Sequence, residues 1–219
     1  VLSIKKIKVL IAEDHVMVRQ GFIVLLNAQP DIEVVGEAAD GNEMVEKAGS
    51  LQPDVVLADI SMPNLNGIEA TKLIHQRYPD MPVVIITIHT SSSYVIRALR
   101  NGARGYVVKN DDFQNVIQAI KTVSLGQRYL SGQVSEQIID AVIAGTSLDY
   151  NLDERISIRE REILQLIAEG NTNSQIAKKL VISARTVETH RTNLMRKLEL
   201  NSQIDILRYA IQHGITQLE

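Results

Sequence analysis

Over the first 125 residues, short apolar runs alternate with stretches whose apolar positions recur every three to four residues. Continuous Val, Ile and Leu runs at 7–12, 32–37, 54–59, 82–88 and 104–108 predict β-strands buried on both faces. Helical spacing fills the intervals at 17–28, 42–51, 68–78, 93–101 and 111–125. Gly and Pro punctuate the junctions, among them Gly41, Pro53, Pro63, Gly67, Pro79 and Gly102. Repeated strand–helix units of this length predict a five-stranded parallel sheet with helices on both faces, an α/β architecture.

The pattern changes after residue 128. Val134, Ile138 and Val142 are spaced by four, which predicts a short amphipathic helix, and Gly145-Thr146-Ser147 reads as a break. Beyond it every periodic segment is helical. Ser157 and Glu160 form a capping-box pattern for one helix, which Gly170 closes. Ser174 is a candidate cap for a second helix to Leu180, and Ser183 for a third from Ala184 to Leu198. Ser202 is a candidate cap for a fourth ending at Gly214. Only Val181-Ile182-Ser183 separates the second helix from the third, the spacing of a helix-turn-helix. The expected organisation is therefore 1–128 as an α/β domain, 129–152 as a linker with an amphipathic helix, and 153–219 as an all-α four-helix domain.

Composition narrows the chemistry. The chain has 219 residues, 45% of them apolar, and no cysteine. Disulfides, cysteine-ligated metals and thiol nucleophiles are thereby excluded, and a reducing, cytoplasmic setting is expected. Lys5, Lys6 and Lys8 precede an apolar run, but Glu13 and Asp14 interrupt it far too early for a signal sequence or a membrane span. Net charge is −3. Its distribution is uneven: residues 131–150 carry three acids and no base, whereas 176–197 carry six bases against Glu188 alone. A local charge of +5 on a pair of helices suits phosphates.

Four of the strand-like runs end in a reactive polar group: Glu13-Asp14, Asp59, Thr87 and Lys109. In an open parallel sheet the carboxyl ends of the strands face the ligand crevice. Three carboxylates meeting there must bind a cation or raise their pKa values. An oxygen-only donor set without His or Cys favours Mg²⁺, which keeps free positions for a phosphoryl group. Lys109 and Thr87 could then contact phosphoryl oxygens, and Asp59 could be the nucleophile that forms an acyl phosphate.

These stretches, Val9 to Asp14, Asp59 to Gly67, Ile86-Thr87 and Gly105 to Lys109, resemble the receiver domain of two-component response regulators across the whole of the first domain. The resemblance implies a flavodoxin-like doubly wound fold, and Asp59 as acceptor of phosphate from a sensor histidine kinase. It implies Mg²⁺ ligation by Asp14, Asp59 and the Ser61 backbone carbonyl, with Glu13 acting mostly through water. Thr87 and Lys109 would read the phosphorylated state. Tyr106 occupies the position of an aromatic switch that swings inward, and Ser61 and His89 would tune hydrolysis of the acyl phosphate. Departures are mild: Glu13-Asp14 replaces a pair of aspartates, Asn110 follows the lysine in place of proline, and Ile88 is bulkier than the usual alanine. His15 reads as the start of a helix rather than a ligand.

On the third helix of the second domain, Val187, His190, Leu194 and Leu198 share a packing stripe. Arg185, Glu188, Thr189, Thr192 and Arg196 lie opposite, a short polar face suited to base edges in a major groove. Lys178, Lys179, Arg185, Arg191, Arg196 and Lys197 are placed for phosphates. The block from Ile156 through Thr186 to Arg191 resembles the LuxR-type helix-turn-helix, and the two domains together resemble the NarL/FixJ class. Double-stranded promoter DNA with inverted or tandem half-sites, a homodimer and RNA polymerase are the partners this implies. No membrane is among them. The bland reading of the charged face is a solvated surface, and of each lone strand-end acid, a loop or cap residue.

Three other functions bear on the same residues. An aspartate-nucleophile phosphohydrolase would use these carboxylates but needs an acid two residues after Asp59, where Ser61 stands. A small-molecule-sensing LuxR regulator needs an aromatic-lined pocket, and this chain has no Trp and two Phe. A receiver acting without phosphate would not need the complete set of acids, Thr87 and Lys109.

Overall fold

The computed structural model describes residues 5–143, 156–212 and 215, and the predicted break at 145–147 and helix end at 214 lie outside them. The chain divides into two compact units, Val1–Leu148 and Asp149–Glu219.

In the first unit, β1 (Ile7–Ala12), β2 (Ile32–Ala38), β3 (Val55–Ala58), β4 (Val83–Thr87), β5 (Gly105–Val108) and β6 (Tyr129–Leu130) form one parallel sheet in the order β2-β1-β3-β4-β5-β6. Between the strands lie α1 (Val16–Asn27), α2 (Gly41–Leu51), α3 (Gly67–Arg77), α4 (Ser92–Arg100) and α5 (Phe113–Ser124). Alternate strand residues feed opposite layers. Val9, Ile11, Val55 and Leu57 pack with Val116 and Ile120 of α5 and Leu26 of α1. Leu10, Ala12, Val56 and Ala58 pack with Met44 of α2, Ile68 of α3 and Val95 of α4. Strands covered on both faces must be apolar at every position, which is why their sequence shows runs rather than alternation.

The sheet has six strands rather than the expected five. β6 pairs in parallel with β5 through Gly105 with Tyr129 and Tyr106 with Leu130. Two residues are too few for any periodicity to register, and β-sheet pairing alone reveals them. Next comes α6 (Gly132–Ile143), the helix predicted as linker. It belongs to the first unit, where Val134 is fully buried in the layer that holds Tyr106 and Val95.

The second unit contains α7 (Ile158–Ala168), α8 (Asn173–Leu180), α9 (Ala184–Leu198) and α10 (Gln203–Gln212) around a core of Ile163, Leu166, Ile176, Val187, Leu194 and Ile206. The Ser157–Glu160 capping box forms as expected. Ser183 caps α9, and Ser202 accepts from Asp205 N at the start of α10. The cap of α8 is Thr172 instead of Ser174. Thr172 accepts from Gln175 N while the Gln175 side chain accepts from Thr172 N, a reciprocal pair that Ser174 could not make.

Val181, at the tip between α8 and α9, has φ +52° and is 90% exposed. A β-branched residue is strained in the left-handed region, and nothing buried compensates it. Val181→Gly is therefore expected to stabilise the second unit by about 0.5–1 kcal/mol after the added freedom of the unfolded chain is counted. Scanning calorimetry checks this, and a lower melting temperature would count against strain at the turn.

Candidate functional site

The carboxyl ends of five strands are tied by backbone bonds, β2, β1 and β3 in one group and β4 and β5 in another, before any side chain is considered. Asp59 N donates to Ala12 O at 2.8 Å, Glu13 N to Ala38 O at 3.0 Å, and Lys109 N to Thr87 O at 2.7 Å. The residues that follow β1, β3 and β5 therefore emerge at one edge. Gly67 completes the frame: a Cβ there would overlap the Asp59 carbonyl oxygen, so only glycine lets α3 begin this close to the β3 turn.

At that edge the Lys109 ammonium stands between two buried carboxylates, 2.6 Å from Glu13 Oε2 and 3.0 Å from Asp59 Oδ2. The other Asp59 oxygen accepts from Ile60 N at 2.8 Å. Burial pushes the Asp59 carboxyl above its ordinary pKa, and the nearby Glu13 charge adds to that while Lys109 opposes it. Burial also works to lower the Lys109 pKa, but Asp59 and Glu13 outweigh it and hold the ammonium above its usual value.

The Glu13–Asp14 turn is also held by Arg19, a group that the sequence reading did not single out. Arg19 of α1 donates to the Glu13 carbonyl at 2.6 Å and to Glu37 at 2.8 Å, which fixes the acidic turn. One charge inside an otherwise apolar helix was the available signal. His15 is the N-cap of α1, consistent with a helix start, and its ring also turns to Asp14 Oδ1 at 2.8 Å and Glu13 Oε1 at 3.1 Å. Asp14 holds the imidazole above its ordinary pKa, with Glu13 contributing.

Ligand atoms of Glu13, Asp14 and His15 all lie within 4.8 Å of one another. Asp14 Oδ1 is buried as an atom and faces the His15 ring at 2.8 Å. A carboxylate oxygen in that condition, beside a second buried carboxylate, fits a hard cation that prefers oxygen ligands. Asp59 connects to the trio through Lys109.

Thr87 is fully buried at the end of β4, with Oγ1 accepting from His89 N at 3.3 Å. The His89 ring stacks on Tyr94, with centroids 4.1 Å apart, and its Nε2 lies 3.3 Å from Ser61 Oγ. Burial lowers the His89 pKa, and Lys109 lowers it further. Tyr106 points inward: it is fully buried, and its hydroxyl donates to His89 O at 2.8 Å. Burial raises its pKa, with Tyr94 and Asp59 adding to the shift.

In the second unit, Val187, Leu194 and Leu198 of α9 face the core, with His190 half-buried beside them. Arg185, Glu188, Thr189, Thr192 and Arg196 are exposed on the other side, as are Lys178 and Lys179 on α8, while Thr186 and Arg191 are half-buried. Several of these groups are already engaged. Thr189 Oγ1 donates to Arg185 O at 3.0 Å, Thr186 Oγ is 2.7 Å from Ser183 Oγ, and Glu188 accepts from Asn173. Lys197 is committed further: its ammonium lies 2.7 and 2.8 Å from the two oxygens of Glu160, the buried capping-box residue of α7.

Burial alone would raise the Glu160 pKa, but Lys197 and the Ser157 bonds outweigh it and bring it below its usual value. Stability from the pair is thus fully present above the unfolded carboxylate pKa of about 4.3, and is lost as pH falls through the depressed folded value. Lys197→Ala should cost about 1–2 kcal/mol at pH 7, less than a fully buried pair because the lysine is partly exposed. The difference between wild type and variant should shrink below about pH 4. Urea unfolding at several pH values measures both, and a pH-independent difference would sever Glu160 from the effect.

A family model described as the response regulator receiver domain matches residues 9–121, and one described as bacterial regulatory proteins of the luxR family matches 154–210. The oxygen regulatory protein NreC of Staphylococcus carnosus is 40% identical over 210 residues, covering 94% of this chain and 97% of that protein. Among solved structures, a LuxR-family two-component response regulator from Aurantimonas is 32% identical with a TM-score of 0.62, over 64% of this chain and 99% of that one. RcsB of Salmonella enterica serovar Typhimurium, bound to promoter rprA in the presence of the phosphomimetic BeF3−, is 26% identical with a TM-score of 0.59, over 94% and 98%.

Proposed function

Since this chain belongs to the two-component response regulators that join a receiver domain to a LuxR-type DNA-binding domain, we propose that its DNA binding is governed by phosphate carried on Asp59. The observation that supports this most directly is the Asp59 carboxylate, buried at the end of β3 with Lys109 at 3.0 Å and the Glu13–Asp14 turn beside it. In the proposed step, an Asp59 oxygen attacks the phosphorus of a phosphohistidine on a sensor kinase. The P–O bond forms as the P–N bond breaks, and the imidazole leaves with the electron pair and takes up a proton.

Mg²⁺ bound by Glu13, Asp14, Asp59 and the Ser61 backbone carbonyl would supply charge neutralisation on the phosphoryl oxygens. Lys109 supplies a second positive charge, and Thr87 a hydroxyl for one phosphoryl oxygen. Tyr106 follows Thr87 through His89. Ser61 and His89 border the face from which water would hydrolyse the acyl phosphate. Within this assignment the receiver core is 1–128, with 129–152 leading to a DNA-binding unit at 153–219. Among the described residues no helix is long and apolar enough to cross a membrane.

Asp59→Asn is expected to lose Mg²⁺-dependent labelling by a small phosphodonor such as acetyl phosphate, while keeping its fold by circular dichroism. Labelling at the wild-type level would place the acceptor elsewhere. Steady release of phosphate from many substrates would instead favour a phosphohydrolase, against which Ser61 stands in place of the required acid.

For DNA, α9 enters the major groove and reads base edges with Glu188, Thr189 and Thr192. Arg185, Arg191 and Arg196, with Lys178, Lys179 and Thr186, hold phosphates. The structure of RcsB bound to a promoter supports duplex DNA as the ligand of this unit. Two half-sites in inverted or tandem array would be bound by a homodimer, which multiplies a modest single-site affinity. RNA polymerase is the downstream partner in the same reading, and the likeness to an oxygen regulatory protein supports an oxygen-linked stimulus. Arg196→Ala should weaken binding to all duplexes alike and reduce the salt slope by about 1. Thr189→Ala should change the ranking of operator variants by about 1–3 kcal/mol at one position. Binding measured across an operator library at two salt concentrations separates the two, and identical losses for both variants would defeat the division of roles.

A further inference from the structure

We propose that Asn173 sets the base preference of α9 by holding Glu188 in one pose, so that a single free carboxylate oxygen faces the groove. The proposal rests on the reading of α9 as the helix that meets base edges with Glu188, Thr189 and Thr192.

Glu188 stands among the six bases of residues 176–197 as their one acid. In a groove walled by phosphates an unattached carboxylate is repelled, and its long side chain has no fixed direction. Two arginines are within reach by helical spacing, Arg185 three residues before and Arg191 three residues after. An ion pair with either would tie up a cation suited to phosphate. Among the described residues Glu188 is instead bonded to a neutral group: Asn173 Nδ2 donates to Glu188 Oε2. A carboxylate only accepts, so the amide must present its nitrogen.

The donor stands on a rigid frame. Asn173 is the first residue of α8 but not its cap, because Thr172 and Gln175 exchange the capping bonds. The Asn173 amide is thereby left for a partner 15 residues later, across the turn between the two helices. Ile176 of α8 and Val187 of α9 are fully buried in one core, which fixes the two backbones against each other. Asn173 is half-buried and Glu188 is exposed, so the bond reaches outward from the core to the reading face.

With Oε2 taken, Glu188 keeps Oε1 as its open acceptor. One fixed acceptor suits the cytosine N4 amino group, the donor that a glutamate reads in the major groove. The amide also offsets part of the cost of stripping water from the carboxylate as the groove closes on it. Asn173 thus acts through Glu188 and not on a base. A phosphate contact by Asn173 itself would add affinity on every sequence alike.

The test is selection from duplexes of randomised sequence by the full chain, followed by binding constants for every base substitution in the recovered site at two salt concentrations. Glu188→Ala should reduce the preference for cytosine at one base pair by about tenfold. Asn173→Ala should reduce the preference at that same pair by about three- to tenfold and leave the salt slope unchanged. Asn173→Asp keeps the size of the side chain, removes the donor and suits the first turn of a helix, so it serves should the alanine variant fail to fold. It should lower the preference at that pair at least as far. In a Glu188→Ala background, Asn173→Ala should change the preference there by less than about twofold. The assignment is overturned if Glu188→Ala relaxes one pair while the Asn173 variants weaken every duplex equally or leave the ranking intact. It is equally overturned if the losses from the two residues add in the double variant. If Glu188→Ala relaxes no base pair, the base-reading role of Glu188 is lost first, and the role of Asn173 with it.

Discussion

The receiver unit is organised around one ammonium group shared by two buried carboxylates. Lys109 bridges Glu13 and Asp59, and these three residues follow the ends of three different strands. Two carboxylates this close repel in a low-dielectric setting, and neither is solvated well enough to be stable alone. The lysine resolves that conflict without reaching Asp14, whose Oδ1 faces the His15 ring instead. A site balanced in this way accepts further positive charge readily. The parallel sheet follows from the same need: only a topology that sends several strands in one direction can deliver acids, hydroxyl and ammonium to one edge.

Sequence patterning revealed the ingredients of this edge more fully than their connections. Glu13, Asp14, Asp59, Thr87 and Lys109 were legible because each ends an apolar run, and burial on both faces makes such runs conspicuous. The runs could not show which side chains would pair. That depends on the reach of Lys109 across from β5 to β1, 96 residues away in sequence. Arg19 and the His89 backbone escaped notice for a related reason, since each makes a bond to or from a main-chain atom that no side-chain pattern encodes. Strand β6 escaped because Tyr129-Leu130 is shorter than any period. At α8, Thr172 and Ser174 are equally suitable caps by residue type, and Gln175 decides between them by returning a bond to Thr172.

The second unit shows how one side chain can share a helix face with its neighbours and yet be committed elsewhere. Lys197 lies near the basic side of α9, but its long side chain folds back to Glu160, 37 residues earlier. The pair fastens the end of α9 to the start of α7, at the cap that α7 depends on. In the proposed DNA-binding mode its value is indirect: it holds the end of α9 against the start of α7. Rigid presentation matters because base readout requires side chains to meet edges within a fraction of an ångström.

Strand β6 has a bearing on solubility that its modest size conceals. A parallel sheet ending at β5 would display a row of unpaired amides and carbonyls flanked by Val107 and Val108, the kind of border that recruits strands from other molecules. β6 occupies the first half of that border with two residues and then turns immediately into a helix. It satisfies the edge and offers almost no edge of its own. The receiver unit thereby carries a built-in terminator against intermolecular sheet growth.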